Sequence, residues 1–113
     1  MNIRLSPGSV RIRISTDEAR TLEEQKMLSQ TVHFIEGDMI IEVLIVPGQD
    51  EAMKLSCTGW STRACLRERD FFGLLESKPS RDNSIRVPLK ACNGTTTEAV
   101  FEIDLFPEKK KRG

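Results

Sequence analysis

The chain has 113 residues, 38% apolar and 30% charged, the balance of one ordinary globular domain. A chain of this length buries roughly two-thirds of its unfolded surface on folding, so a core forms without metals or disulfides. Seventeen Lys and Arg offset seventeen Asp and Glu, which excludes bulk steering toward nucleic acid or an acidic membrane and leaves local patches to do any charged recognition.

Met1 to Ser15 lacks the continuous apolar run of a signal peptide, and a cytoplasmic location is expected. Over Asn2 to Ile14, Ile3 and Leu5 alternate with Arg4, and Val10, Ile12 and Ile14 alternate with Arg11 and Arg13. That is the period-two signal of a strand with one buried face. Pro7-Gly8 interrupts it, either as a tight turn between two strands or as a bulge in one. Ser15-Thr16-Asp17-Glu18 reads as a capping box. A short helix is predicted over Thr16 to Lys26, with Ala19 and Leu22 on its apolar face and Met27 and Leu28 finishing that face.

Thr31 to Glu36 reads as a strand, turned at Gly37-Asp38 into Met39 to Val46, the strongest strand signal in the chain. Both faces of that strand are largely apolar, which predicts a central position with its second face covered. Pro47 to Asp50 is a turn. Ala52 to Cys57 alternates with Met53, Leu55 and Cys57 inward, and after Thr58-Gly59 a strand over Trp60 to Leu66 shares Trp60, Thr62, Ala64 and Leu66 on one face. Arg67 to Ser77 places Phe71, Leu74 and Leu75 on a helical face, weakened at Gly73 and ended by Pro79.

Lys78 to Asn83 reads as a polar loop, and Ser84 to Lys90 as a strand whose Pro88 argues for an edge or a bulge. Glu98 to Phe106 is the last strand. A two-residue turn at Asn93-Gly94 would set Ile85 opposite Glu102 and bring apolar and charged faces together. An irregular hairpin is therefore expected, with a longer loop and Gly94 left-handed, or with a bulge at Pro88. The sum is an α+β domain over residues 1–107. It is a mainly antiparallel, curled sheet of about seven strands with two short helices (β-α-β-β-β-β-α-β-β), without internal repeat, followed by a basic mobile tail at 108–113.

The opening SVRIRISTDEARTLEEQKMLSQTVHF resembles the N-terminal region of a family of short bacterial proteins of unknown function. In that family an Ile-Arg-x-Arg strand leads into a short acidic helix and a strand containing Thr-x-Phe. FEIDLFP is similar to the family's acidic ending, whereas SCTGWSTRACLRERDFFGLLES matches in pattern and hardly in residues. The resemblance implies no catalytic residues and no activity.

The candidate ligand-binding residues are Arg11, Arg13, Glu102 and Asp104, on the charged faces of the first and last strands. As neighbours they would form cross-strand ion pairs of modest worth. The alternative is a ligand-binding protein or enzyme with these four on a concave face, where the arginines would grip a phosphate or carboxylate bidentately and Glu102 and Asp104 could hold a divalent metal through oxygen ligands. His33 has no nucleophile or acid at a recognisable spacing, and no catalytic role is expected of it. Cys57, Cys65 and Cys92 contain no paired ligand spacing, so reduced and mostly buried thiols are expected, with no metal and no cofactor. Cys57 and Cys65 are placed to approach one another across a hairpin.

Lys109 to Arg112 would give only weak, salt-sensitive nucleic-acid binding, so nucleic acid is not the expected partner. Phosphate loops and hydrolase elbows are absent from the sequence. The leading expectation is a small binding module without catalytic activity. It would engage a protein partner or itself through a sheet edge, the one opposite Pro88, away from any membrane.

Overall fold

The computed structural model describes residues 1–76, 84–90 and 94–104. Among these residues the order is β1 (Asn2–Ser6), β2 (Ser9–Ile14), α1 (Thr16–Gln25), β3 (Met27–Phe34), β4 (Gly37–Val46), β5 (Met53–Thr58), β6 (Ser61–Arg67), α2 (Glu68–Glu76), β7 (Ser84–Lys90) and β8 (Thr96–Ile103). The α+β class stands. The expected single curled sheet of about seven strands does not: eight strands form two four-stranded sheets, ordered β1-β2-β8-β7 and β3-β4-β6-β5, and neither closes. Both are mixed, because β2 runs parallel to β8 and β4 runs parallel to β6. The extra strand comes from Pro7-Gly8, which is a tight turn, with Gly8 at φ 81, a conformation that costs glycine little.

Local signals set the helix starts. Ser15 caps α1, its hydroxyl accepting from the Glu18 amide while the Glu18 carboxylate accepts from the Ser15 amide. The helix ends one residue earlier than predicted, because Lys26 turns left-handed at φ 65 and its N–H donates to the Leu22 carbonyl. Met27 and Leu28 therefore open β3 and do not complete the helical face. The carbonyl of Lys26 accepts from the Ile45 amide, tying the start of β3 to β4.

The register of the final hairpin excludes a two-residue turn at Asn93-Gly94, as the clash of faces demands. Pairing runs from Ser84 opposite Glu102 to Lys90 opposite Thr96 without a break at Pro88, so Ile85 faces Phe101 and Val87 faces Ala99. Gly94 takes φ 89 in the connection. The predicted loop at 78–83, the helix end at Pro79, Cys92, Asn93 and the tail lie outside the described residues.

The inner faces of both sheets share one core. Ile12, Ile14, Phe101 and Ile85 from the first sheet meet Val43, Ile45, Ala64 and Leu66 from the second, closed by Ala19 and Leu22 of α1 and Phe71 and Leu74 of α2. Full burial of each Val, Ile, Leu or Phe side chain among these contributes about 1.5–3 kcal/mol.

The chain also carries a repeat that its residues conceal. β1-β2-α1-β3-β4 and β5-β6-α2-β7-β8 have the same order of elements. Exchanging β1 with β5, β2 with β6, β3 with β7 and β4 with β8 turns one sheet order into the other and preserves every parallel and antiparallel pairing. Each half gives one hairpin to each sheet, so the halves interlock. Equivalent core positions hold different residues: Ile12 and Ala64, Ala19 and Phe71, Val43 and Phe101. Volume lost at one site is regained at another, which keeps the packing dense while erasing sequence identity.

Candidate functional site

The predicted charged residues sit on the outer face of the first sheet. Arg13 of β2 lies directly opposite Glu102 of β8, with Arg11 on the diagonal. Both guanidinium groups reach one carboxylate oxygen, Arg11 Nη1 at 3.4 Å and Arg13 Nη2 at 3.5 Å from Glu102 Oε2. Glu102 is only 7% exposed, and that oxygen makes no hydrogen bond, so the two charges compensate it at ion-pair distance alone. Asp104 follows the end of β8. Its N–H donates to the Ile14 carbonyl and its own carbonyl accepts from the Thr16 hydroxyl, which pins the strand end to the start of α1.

Sequence reasoning overlooked two more arginines on this face. Arg4 of β1 lies opposite Arg11, and Arg86 of β7 lies opposite Val100, so a row across all four strands reads Arg4, Arg11, Val100, Arg86. Arg86 Nη1 stands 3.5 Å from Glu98. The hollow between Asn2, Arg4, Arg11 and Arg13 holds only about 10 Å³, room for about one water. These arginines present a charged surface and do not enclose a cavity.

The second sheet repeats the theme on its outer face, where Arg63 of β6 pairs with Glu42 of β4 at 3.0 Å. Cys57 and Cys65 lie on opposite faces of this sheet, since Cys57 faces Thr62 and Cys65 faces Lys54. They do not approach one another. Cys57 is exposed and Cys65 half-buried, which corrects the expectation of buried thiols. Cys57 sits past the last covered position of β5, where the core face runs out. His33 holds the Asp38 carboxylate at 2.8 Å on the exposed β3–β4 end.

The most distinctive surface is the β3 edge. Four strands end the two sheets, and three carry protection against further pairing: Arg4 in β1, Lys54 in β5, and Arg86, Pro88 and Lys90 in β7. β3, Met-Leu-Ser-Gln-Thr-Val-His-Phe, contains no Lys, Arg, Asp, Glu or Pro. The Ile40 amide of β4 donates to the Trp60 carbonyl on the β6 side, so Ile40 and Thr31 form a non-hydrogen-bonded pair. By alternation, the N–H and C=O groups of Met27, Ser29, Thr31 and His33 point away from β4. All four residues are exposed.

This edge ends in exposed apolar side chains. Phe34 is 48% exposed and Trp60 54%, with their rings 6.0 Å apart, and Ile35 of the following turn is 99% exposed; Ile40, 39% exposed, lies on the other face of the sheet beside Thr31. Trp60, expected inside a strand, sits in the β5–β6 turn, where its ring is tilted beside that of Phe34. The available signal for this site was the eight-residue run without charge, masked because Met27 and Leu28 also fit the helical period.

Comparison with protein families, curated proteins and solved structures returns no match to this chain. No described helix is long and apolar enough to cross a membrane.

Proposed function

We propose that this protein is a binding module that takes up an extended chain segment along β3. The carrying observation is the one edge among the described strands with outward backbone groups, exposed residues and no guarding charge or proline. Strand addition draws its affinity from main-chain hydrogen bonds and its selectivity from alternate side chains. Phe34 and Trp60 at the end of the strand offer rigid aromatic anchors of the type that dominate binding energy. Membership of the bacterial family that the opening residues resemble, and a cytoplasmic location, belong to the same proposal; neither adds an activity.

Selection of linear peptides on the purified protein tests it. Bound peptides should shift the amide resonances of Met27 to Phe34, and Thr31→Pro should abolish binding. Thr31 directs its N–H away from β4, so proline removes no bond of the existing sheet. Binding that survives this change, or shifts centred on another surface, would end the reading.

A second reading, anion binding on the arginine face, is supported by the row of Arg4, Arg11 and Arg86 and by two arginines sharing one carboxylate. Titration with inorganic phosphate should then move the side-chain Nε–H signals of these arginines and leave Arg69 unmoved. Equal movement at Arg69 would dismiss it.

A further inference from the structure

We infer that the segment taken up by β3 is β3 of a second copy of this chain, paired antiparallel about a twofold axis at Gln30; this rests on the strand-addition reading above. The strand is self-complementary in that register. Ser29 faces Thr31 of the other copy and Met27 faces His33, and these are the residues with outward backbone groups, so each pair exchanges both of its N–H···O bonds. On the inner face Leu28 meets Val32, both half-buried in the single copy, and Gln30 meets Gln30, where two side-chain amides can satisfy one another.

A shift of one residue would set outward groups against inward ones and lose the bonds. A shift of two leaves one end of the strand unpaired. Self-pairing usually brings like charges together, a cost that charged edge strands exploit. β3 has none to bring together. The absence of charge also removes any electrostatic code for a foreign sequence. Because the other three described edges carry charge or proline, the contact is isologous and closes at two copies without growing into a fibre. The result is a continuous eight-stranded sheet built from two β5-β6-β4-β3 sheets.

Light scattering on size-separated protein over a rising concentration series is expected to approach twice 12.8 kDa. Thr31→Pro and, separately, Thr31→Lys should hold the mass at a single copy with an unchanged circular-dichroism spectrum. Gln30→Cys gives the second readout. Gln30 directs its backbone toward β4, so on the twofold it forms a non-hydrogen-bonded pair with Cα atoms about 4.5 Å apart, within disulfide reach. Mild oxidation should link position 30 to position 30, identified by mass spectrometry of the joined peptides. Ser29→Cys should link to itself far less. A single-copy mass at every concentration, or a linkage confined to the native cysteines, overturns the inference. If the protein stays single yet loses captured peptides on Thr31→Pro, strand addition stands and self-pairing falls; if neither association responds to Thr31→Pro, both fall.

Discussion

Replacing Glu102 by Gln and, separately, by Met tests what holds the outer face of the first sheet. The side chain is 7% exposed, and its Oε2 faces Arg11 at 3.4 Å and Arg13 at 3.5 Å without a hydrogen bond. Both arginines keep a solvent-exposed part, so each pair contributes roughly 0–1 kcal/mol. Gln keeps the buried polarity, forfeits both pairs and leaves the arginine charges facing each other. A loss of about 1–2 kcal/mol is expected. Met has a similar length and removes the cost of burying a charge. It also adds apolar burial beside Val100, which offsets the lost pairs and holds the change within about 1 kcal/mol. Urea denaturation read by tryptophan fluorescence gives both values, with unchanged slope as the check on two-state behaviour. Raising salt should narrow the gap between Gln and wild type. Gln more stable than Met, or a gap that widens with salt, would refute the electrostatic account.

Burial works against the charge of Glu18, but the Met1 ammonium and the amide and hydroxyl of Ser15 outweigh it and hold its carboxyl below the usual 4.5. Its stabilisation is therefore complete above pH 4.5 and is lost as pH falls through the lower folded value. A measured midpoint at or above 4.5 would contradict this, and Ser15→Ala should raise the midpoint while costing about 0.5–2 kcal/mol in thermal or urea unfolding. The interlocked halves predict that a chain cut in the turn at Gly48 to Asp50 yields two fragments, each without stable sheet by circular dichroism, that regain the native spectrum when mixed. A folded single fragment would show that one half suffices.

Much of the local structure was legible because its signals are short-range. Ser15 and Glu18 announce the cap, and Ile12 and Ile14 alternate with arginines. Ile85 facing Phe101 follows from matching apolar faces, which is why a two-residue turn in the last hairpin could be excluded. Met27 and Leu28 read as a continuation of the apolar face of Ala19 and Leu22 because no glycine or proline intervenes to end the helix, and only the left-handed Lys26 separates helix from strand. Arg11, Arg13 and Glu102 were found as a set, since strand parity puts each on a polar face. Arg4 and Arg86 were missed because their place beside that set depends on which strands are neighbours.

By itself, then, the sequence determined element types, caps and the inward face of most strands, all consequences of backbone sterics and of apolar periods within a few residues. Tertiary structure alone decided that hairpins from the two halves would pair across β2·β8 and β4·β6, since many pairings satisfy the same alternation and only burial of Ile12, Ala19, Ala64 and Phe71 together in one core selects one. It also decided that β3 would be an edge. An uncharged strand reads the same in the middle of a sheet as at its border, and only the position of its neighbours leaves its outer backbone groups open.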